Sequence, residues 1–219
     1  MANPKIIPKK STQSLKAPIA SDLDFGEIAI NHADKKLYAR HPSTGVVQEI
    51  SPNTGGVSGS NTKTLAVFTP RNNYPPATAF ATLDTRNSIA VLDFDAATIE
   101  SAIFPAIIPE AADLASGLSV RITWMATTAT TGNVRWRVSL ERGNTDLDAD
   151  SFDTASEANG TANGTSGIPT TTSIPLSTID SVAVGEPYRL RISRVGNDAA
   201  NDTMTGDAEL IAVEVQQVA

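Results

Sequence analysis

The stretch "GLSVRITWMATTATTGNVRWRVSLER", residues 117–142, decides the fold class of this chain. Apolar and polar side chains alternate over 118–124 and again over 134–140, which is the period of a β-strand with one buried face. The residues predicted to face inward are Leu118, Val120, Ile122, Trp124, Val134, Trp136, Val138 and Leu140. The four residues "TTGN" at 130–133 predict a tight turn, so we expect a hairpin that turns both tryptophans toward one core.

The same alternation continues through the larger part of the chain. "PYRLRISR" at 187–194 repeats it, and weaker strands are predicted at 79–83, 88–94, 150–155, 168–175 and 206–217. One short helix is predicted over 96–103, with Asp95 as its N-cap, and 156–167 is predicted to be a long exposed loop. An all-β fold follows, with an eight-stranded, jelly-roll-like β-sandwich over 79–219.

Composition narrows the chemistry that the chain can perform. There are no cysteines among the 219 residues, which excludes disulfides, thiolate metal sites and cysteine nucleophiles. Prolines interrupt the first twenty residues where a signal peptide needs an apolar run, and no stretch is long and apolar enough to span a membrane. We therefore expect synthesis in a cytoplasm without membrane insertion.

Charge is divided unevenly along the chain. Residues 1–70 carry a balance of +3 and residues 71–219 a balance of −10, and every lysine lies at or before Lys63. The acidic larger part argues against nucleic acid as a partner, because no basic stripe is available to neutralise phosphates. We predict four segments: an extended basic tail at 1–20, a small β module at 21–52, a Gly/Ser/Asn/Pro linker at 53–78 and the sandwich at 79–219.

The module at 21–52 reads as a three-stranded β-meander. Its strands are expected around 25–30, 37–40 and 46–50, separated by the turns "NHADKK" and "HPSTG". About thirty residues are too few to bury a useful core. The module must therefore be stabilised by contact with the sandwich, with copies of itself or with a larger assembly.

The stretch "LDFGEIAINHADKKLYAR" at 23–40 resembles an N-terminal repeat of tailed-bacteriophage fibre and virion-surface proteins. Lys35 departs from that pattern, since the family usually has glycine after the aspartate, and this predicts a wider loop. The resemblance implies a homotrimer that contacts other virion proteins, of the capsid or the tail, through residues 1–52. The anchoring and trimer-interface residues it implies are Phe25, Gly26, Glu27, Ile28, Ile30, Asn31, Leu37 and Tyr38.

Three functions stay open. The first is a non-catalytic structural protein of a phage virion surface: a head fibre, a capsid decoration (cement) protein or a short tail fibre. The second is a host-attachment domain whose loops at 143–150 and 156–167 bind a cell-surface glycan or protein; against sugar binding, most of the eleven aromatic residues are expected to serve the core. The third is a capsule-degrading enzyme.

No catalytic, cofactor or metal site is predicted. The two histidines, His32 and His41, sit beside turns and match no nucleophile or metal pattern. Two groups of aspartates offer oxygen ligands of the kind calcium prefers, without the spacing of an EF-hand. We interpret them as solvated turn residues; they are Asp146, Asp148 and Asp150, and Asp198, Asp202 and Asp207.

Overall fold

The computed structural model describes residues 8–50, 62–143 and 151–218. The fold is all-β, as predicted, and the chain divides into two compact units, Met1–Gly59 and Ser60–Ala219. The predicted linker at 53–78 is wrong over part of its length. Residues 51–61 lie outside the described part, but Lys63–Phe68 form a strand that pairs with the last strand of the sandwich.

Over residues 8–50 the N-terminal unit is a four-stranded sheet with one 3-10 turn, Ala20–Asp22. Its strands, in spatial order, are β1 (Lys9–Ser11), β2 (Ile28–Asn31), β3 (Lys36–Arg40) and β4 (Val47–Glu49). The antiparallel β2, β3 and β4 confirm the meander. Part of the predicted extended basic tail at 1–20 is tied to the module: β1 adds to β2 as a parallel strand, because the edge of a three-stranded meander offers unpaired backbone groups.

The described part of the second unit has ten strands and one 3-10 turn, Pro70–Asn72. The strands are β5 (Lys63–Phe68), β6 (Thr82–Arg86), β7 (Ile89–Phe94), β8 (Ile99–Ile107), β9 (Leu118–Ala126), β10 (Asn133–Arg142), β11 (Ser156–Thr161), β12 (Thr170–Pro175), β13 (Pro187–Val195) and β14 (Ala208–Gln217). The four-stranded sheet of the sandwich has the order β11-β10-β13-β8. The six-stranded sheet has the order β12-β9-β14-β7-β6, with β5 also paired to β14.

The eight strands β7 to β14 follow the pairing of a jelly roll. The first pairs with the last, the second with the seventh, the third with the sixth and the fourth with the fifth, all antiparallel. The predicted eight-stranded sandwich is therefore confirmed. Strands β5 and β6 extend one sheet beyond that plan.

Both tryptophans lie in one core, as predicted, but not on one hairpin. Trp124 on β9 and Trp136 on β10 are fully buried, with ring centroids 5.9 Å apart. The edges of β9 are occupied by β12 and β14, and those of β10 by β11 and β13, so the turn at 130–133 crosses between sheets. The tryptophans therefore meet across the sandwich.

Two further local predictions are wrong. The predicted helix at 96–103 is replaced by β8, which pairs along its whole length with β13. Asp95 keeps a capping role in the preceding turn, where its Oδ1 accepts the backbone N–H groups of Ala97 and Thr98, each at 2.8 Å. The predicted loop at 156–167 begins with β11, whereas the predicted strand at 150–155 is irregular over 151–155.

Candidate functional site

The outer surface of the four-stranded sheet of the sandwich carries four arginines at alternate positions, and we call this surface the arginine face. They are Arg135 and Arg137 on β10 and Arg189 and Arg191 on β13. The residues between them, such as Trp136 and Leu190, are fully buried in the core. The alternation that predicted these strands therefore also places the guanidinium groups on one solvent-facing surface.

Two glutamates bind three of these arginines. Glu157 on β11 accepts from Arg137 Nε at 2.5 Å and from Arg135 Nη2 at 2.8 Å. Burial alone would raise the pKa of Glu157, but the hydrogen bonds from the two guanidinium groups lower it below its usual value. Glu141, which is 1% exposed, accepts from Arg189 Nη2 at 2.6 Å on its Oε2.

Arg191 is the remaining guanidinium of the arginine face. Its Nε donates to Ser139 Oγ at 3.2 Å, and its guanidinium carbon lies 4.2 Å from the centre of the Phe152 ring. No carboxylate within the described ranges forms an ion pair with it. Burial, and next the neighbouring charge of Arg137, lower the pKa of Arg191. The result is an uncompensated positive charge that an aromatic ring holds in place.

Two exposed aromatic residues lie beside β8, the edge strand of the same sheet. Phe80 pairs with Ser101 of β8 and is 47% exposed, and Tyr74 donates its backbone N–H to Ile103 O and is 68% exposed. The register continues from Ser101 through Ser193 to Arg137. With strands about 4.8 Å apart, this row runs about 14 Å from the backbone of Phe80 to the backbone of Arg137.

The arginine face and the exposed aromatic residues beside it were not predicted from the sequence. Most aromatic residues were expected to lie in the core, and Phe80 was placed inside a predicted strand at 79–83. The signal that could have found the face is the arginine at every second position of both "VRWRV" and "YRLRI". The shared register of β10 and β13 then gathers the four arginines.

Asn31, one of the predicted anchoring residues, organises the N-terminal unit. It is 1% exposed, and its Nδ2 donates to Gln13 O at 3.0 Å, to Lys16 O at 2.9 Å and to Asp34 Oδ2 at 2.8 Å. The other oxygen of Asp34 accepts from Ser14 Oγ at 2.9 Å. This set of contacts, here named the Asn31 clasp, fixes residues 13–16 against the turn between β2 and β3.

The other predicted anchoring residues fall on different surfaces. Tyr38 is 7% exposed, whereas Phe25 is 60% exposed and stacks with the Arg40 guanidinium at 4.2 Å. Gly26 takes a φ of 78°, which suits glycine, and Glu27 pairs with Lys9 at 3.0 Å. Ile28, Ile30 and Leu37 are half-buried on the sheet face opposite to Tyr38. Their role in a trimer stays a prediction.

The aspartate groups give no candidate metal centre within the described ranges. Asp146, Asp148 and Asp150 lie outside them, and no group of three His, Asp or Glu residues inside them could hold a metal ion. The interpretation of Asp202 as a solvated turn residue is wrong. It is 7% exposed because both its oxygens accept from Arg194, at 2.7 and 2.9 Å.

His41 serves a turn, as predicted: its Nδ1 accepts the backbone N–H groups of Ser43 and Thr44, each at 3.2 Å.

In the part of the chain that the structure describes, no helix has the length and apolar character needed to cross a membrane.

Comparison with known proteins gives no family. No protein-family model matches the chain, and no curated protein matches its sequence. Among solved structures, a xylan-binding module, CBM15, is similar with 9% identity and a TM-score of 0.42 over 73% of this chain and 97% of that one. A mannan-recognising module, TmCBM27, gives 9% identity, a TM-score of 0.32, and 73% and 90% coverage. An arabinose-bound α-L-arabinofuranosidase gives 10% identity and a TM-score of 0.38 over 66% of this chain and 23% of its own. With TM-scores below 0.5, these similarities carry no argument about function.

Proposed function

We propose that the jelly roll is a non-catalytic binding domain for a glycan on a cell surface. The observation that carries this proposal is the exposed pair Tyr74 and Phe80 at the edge of the sheet that bears the arginine face. Aromatic rings provide apolar area for the carbon-bound hydrogens of a sugar, and guanidinium groups supply several fixed hydrogen-bond donors. A row of about 14 Å with both kinds of group suits an extended oligosaccharide better than a compact ligand.

The binding surface of this proposal differs from the loops that the sequence favoured. Residues 156–161 are strand β11, and 144–150 lie outside the described residues. The proposed contacts come instead from strands β10 and β13 and from Tyr74 and Phe80 in the irregular segment beside β8. The arginines on paired strands hold their spacing better than groups on loops, which favours recognition of a repeating polymer.

A glycan array with the full chain tests the proposal. We expect binding to at least one class of surface polysaccharide, and loss of that binding in the double variant Tyr74→Ala/Phe80→Ala. The matched control is Ile89→Ala, because Ile89 is an apolar residue with 57% exposure on the other sheet. Absence of binding across a broad array, or unchanged binding by the double variant, would sink the proposal. A capsule-degradation assay should show no bond cleavage.

A second function is proposed for the N-terminal unit: attachment of the chain, as a homotrimer, to the surface of a bacteriophage particle. Two residues of the stretch that resembles virion proteins, Asn31 and Asp34, supply the side chains that hold residues 13–16 in the Asn31 clasp. Lys35 takes a φ of 56° at the position where those proteins carry glycine, so the turn keeps the left-handed residue rather than widening. Both observations support a preserved module, and glycan binding would then serve host attachment.

The half-buried Ile28, Ile30 and Leu37 offer an apolar strip that three copies could share around one axis. We expect light scattering to give the mass of a trimer for the full chain, and a smaller mass for Ile30→Asp. The control is Val46→Asp, since Val46 is already 55% exposed. Deleting residues 1–52 should leave a soluble jelly roll that no longer joins its phage particle. A monomeric full chain argues against the trimer, and retained incorporation of the truncated chain argues against anchoring.

A further inference from the structure

We infer that the arginine face selects an acidic glycan, one whose sugars carry carboxylates, and that Arg191 is the residue that binds the acid group. This inference rests on the proposed glycan-binding function and names its ligand class. It depends on three features of the face: the charge balance, the geometry of Arg191 and the support beneath it.

The charge balance favours an anion. The ion pairs of the face join three of its four arginines to two carboxylates, Glu141 and Glu157, which leaves two positive charges in excess by that count. Asp198 interacts electrostatically with Arg135, so the excess is concentrated toward Arg191. This positive region stands out on a chain whose formal net charge is −7.

The geometry of Arg191 leaves part of its guanidinium group open to a ligand. Only Nε is engaged, by Ser139 Oγ, and the side chain is half-buried rather than enclosed. The two terminal nitrogens form no hydrogen bond to a described residue. A carboxylate matches such a fork with two parallel hydrogen bonds, and charge-assisted bonds of this kind are about twice as strong as neutral ones. The neighbouring Arg189 binds the carboxylate of Glu141 through Nη2 alone, so a guanidinium of this face already pairs with a carboxylate, although not through the fork.

The support beneath Arg191 reduces the entropic cost of binding. Phe152 stacks on the guanidinium, and the small residues Ser139 and Ser193, which are 2% and 3% exposed, let the long side chains lie across the sheet. A guanidinium that is already held loses little rotamer freedom when a ligand arrives. The partner is expected to be a glycan rather than a protein, because the centre of the arginine face is charged, whereas the cores of protein interfaces are depleted of charged residues.

Binding of the full chain to three soluble polymers tests the inference: polygalacturonate with carboxylates, dextran sulfate with sulfates, and dextran without charge. We expect the tightest binding to polygalacturonate, and a loss of roughly tenfold or more in Arg191→Ala. Arg191→Lys should recover only part of the loss, because an ammonium keeps the charge without the fork. The control is Arg121→Ala, which removes an arginine from the outer face of the other sheet.

The outcomes separate this inference from the proposed function. Binding to dextran or other neutral glycans that depends on Tyr74 and Phe80, without a preference for polygalacturonate, overturns the acidic ligand and leaves glycan binding intact. Binding to dextran sulfate alone overturns the carboxylate. Unchanged polygalacturonate affinity in Arg191→Ala, with a native thermal melt, overturns the role of Arg191. No binding to any glycan overturns both proposals.

Discussion

The outer faces of the two sheets leave opposite charges uncompensated. On the four-stranded sheet of the sandwich, Arg191 contacts a hydroxyl and an aromatic ring, and no carboxylate of the described residues forms an ion pair with it. On the six-stranded sheet, Asp93 of β7 lies directly opposite Glu209 of β14, and the nearby Arg86 binds Glu209 at 2.6 Å. One face therefore has a cation without an anion, and the other has an acid without a cation.

Asp93 and Glu209 crowd two acids into one cross-strand pair. Glu209 is fully buried, and one oxygen of each carboxyl, Oδ1 of Asp93 and Oε2 of Glu209, has no hydrogen-bond partner. Burial, and next the repulsion from Glu209, raise the pKa of Asp93 to about 6. Asp93 is thus uncharged in mildly acidic solution.

The difference between the faces follows from the two chemical groups. A guanidinium cannot lose its proton under ordinary conditions, so an unpaired arginine stays a fixed positive charge that attracts a ligand. A carboxyl can take up a proton, so an unpaired aspartate relieves its own strain when the pH falls. The first arrangement therefore suits binding, and the second makes stability depend on pH.

The largest effect is expected where the charges are fully compensated, at the interior pair Arg194 and Asp202. Arg194 also donates to the carbonyl groups of Phe94 at 3.0 Å and Gly206 at 2.7 Å. Arg194→Met should lower the free energy of unfolding by about 3–5 kcal/mol, because it leaves the buried carboxylate of Asp202 without its cation and with only the backbone N–H of Arg135 as a donor. Urea denaturation measures this, and the double variant Arg194→Met/Asp202→Leu should recover much of the loss. A loss below about 1 kcal/mol would contradict the buried-pair description.

Asp93→Asn should stabilise the protein by about 1 kcal/mol at pH 7–8, a value reduced for partial solvent screening. Because the pKa of Asp93 is higher in the folded chain than in the unfolded chain, protonated Asp93 stabilises the fold below about pH 4. This stabilisation is lost as the pH rises through the folded pKa of about 6. The gain of the variant should therefore shrink between pH 6 and pH 4. Thermal melts across this range measure it, with Glu110→Gln as the control, because Glu110 is an exposed acid that does not contribute to the raised pKa of Asp93. A gain that does not vary with pH would argue against the acid pair.

Glu157→Gln sharpens the comparison by freeing two more guanidinium groups. We expect polygalacturonate affinity to rise a few-fold, and the free energy of unfolding to fall by about 0.5–1 kcal/mol at pH 7. Because the pKa of Glu157 is lowered in the folded chain, the contribution of its charge is present above the unfolded pKa and disappears in more acidic solution. Titration calorimetry and pH-dependent melts measure the two effects. Weaker polygalacturonate binding by the variant would contradict the charge argument.

The smallest effect is expected at Arg121, whose ion pair with Glu214 is solvent-exposed on the six-stranded sheet, with the arginine side chain 43% exposed. Arg121→Ala should change the free energy of unfolding by less than about 0.5 kcal/mol, because exposed pairs are screened by water. The same denaturation measurement applies. A loss as large as that of Arg194→Met would mean that exposure does not decide the strength of these pairs.

The sandwich could be predicted from the sequence because strand period is a local property. Alternation in "VRITW" and "VRWRV" predicted which side chains are buried, and Trp124 and Trp136 confirm it. Strand partners could not be predicted in the same way, because the backbone groups that join strands are alike at every residue. The predicted tryptophan hairpin was wrong for this reason, and the predicted helix at 96–103 gave way to pairing with β13.

The candidate site likewise combines a feature that is visible in the sequence with contacts that depend on strand pairing. The alternating arginines are visible in the sequence, but nothing local indicates that Glu157, on the low-propensity strand "SEANGT", serves both arginines of β10. Likewise, Asp202 looked like a turn residue until Arg194, eight residues earlier, enclosed it in the interior.

The sequence alone determined the period of each strand, the buried tryptophans, the meander near the N-terminus and the absence of cysteine chemistry. Tertiary structure decided which strands are neighbours, and through them which charges meet. The physical reason is range: side-chain alternation acts over two residues, whereas the balance of charge around Arg191 or Asp93 depends on strands that the chain brings together across more than fifty residues.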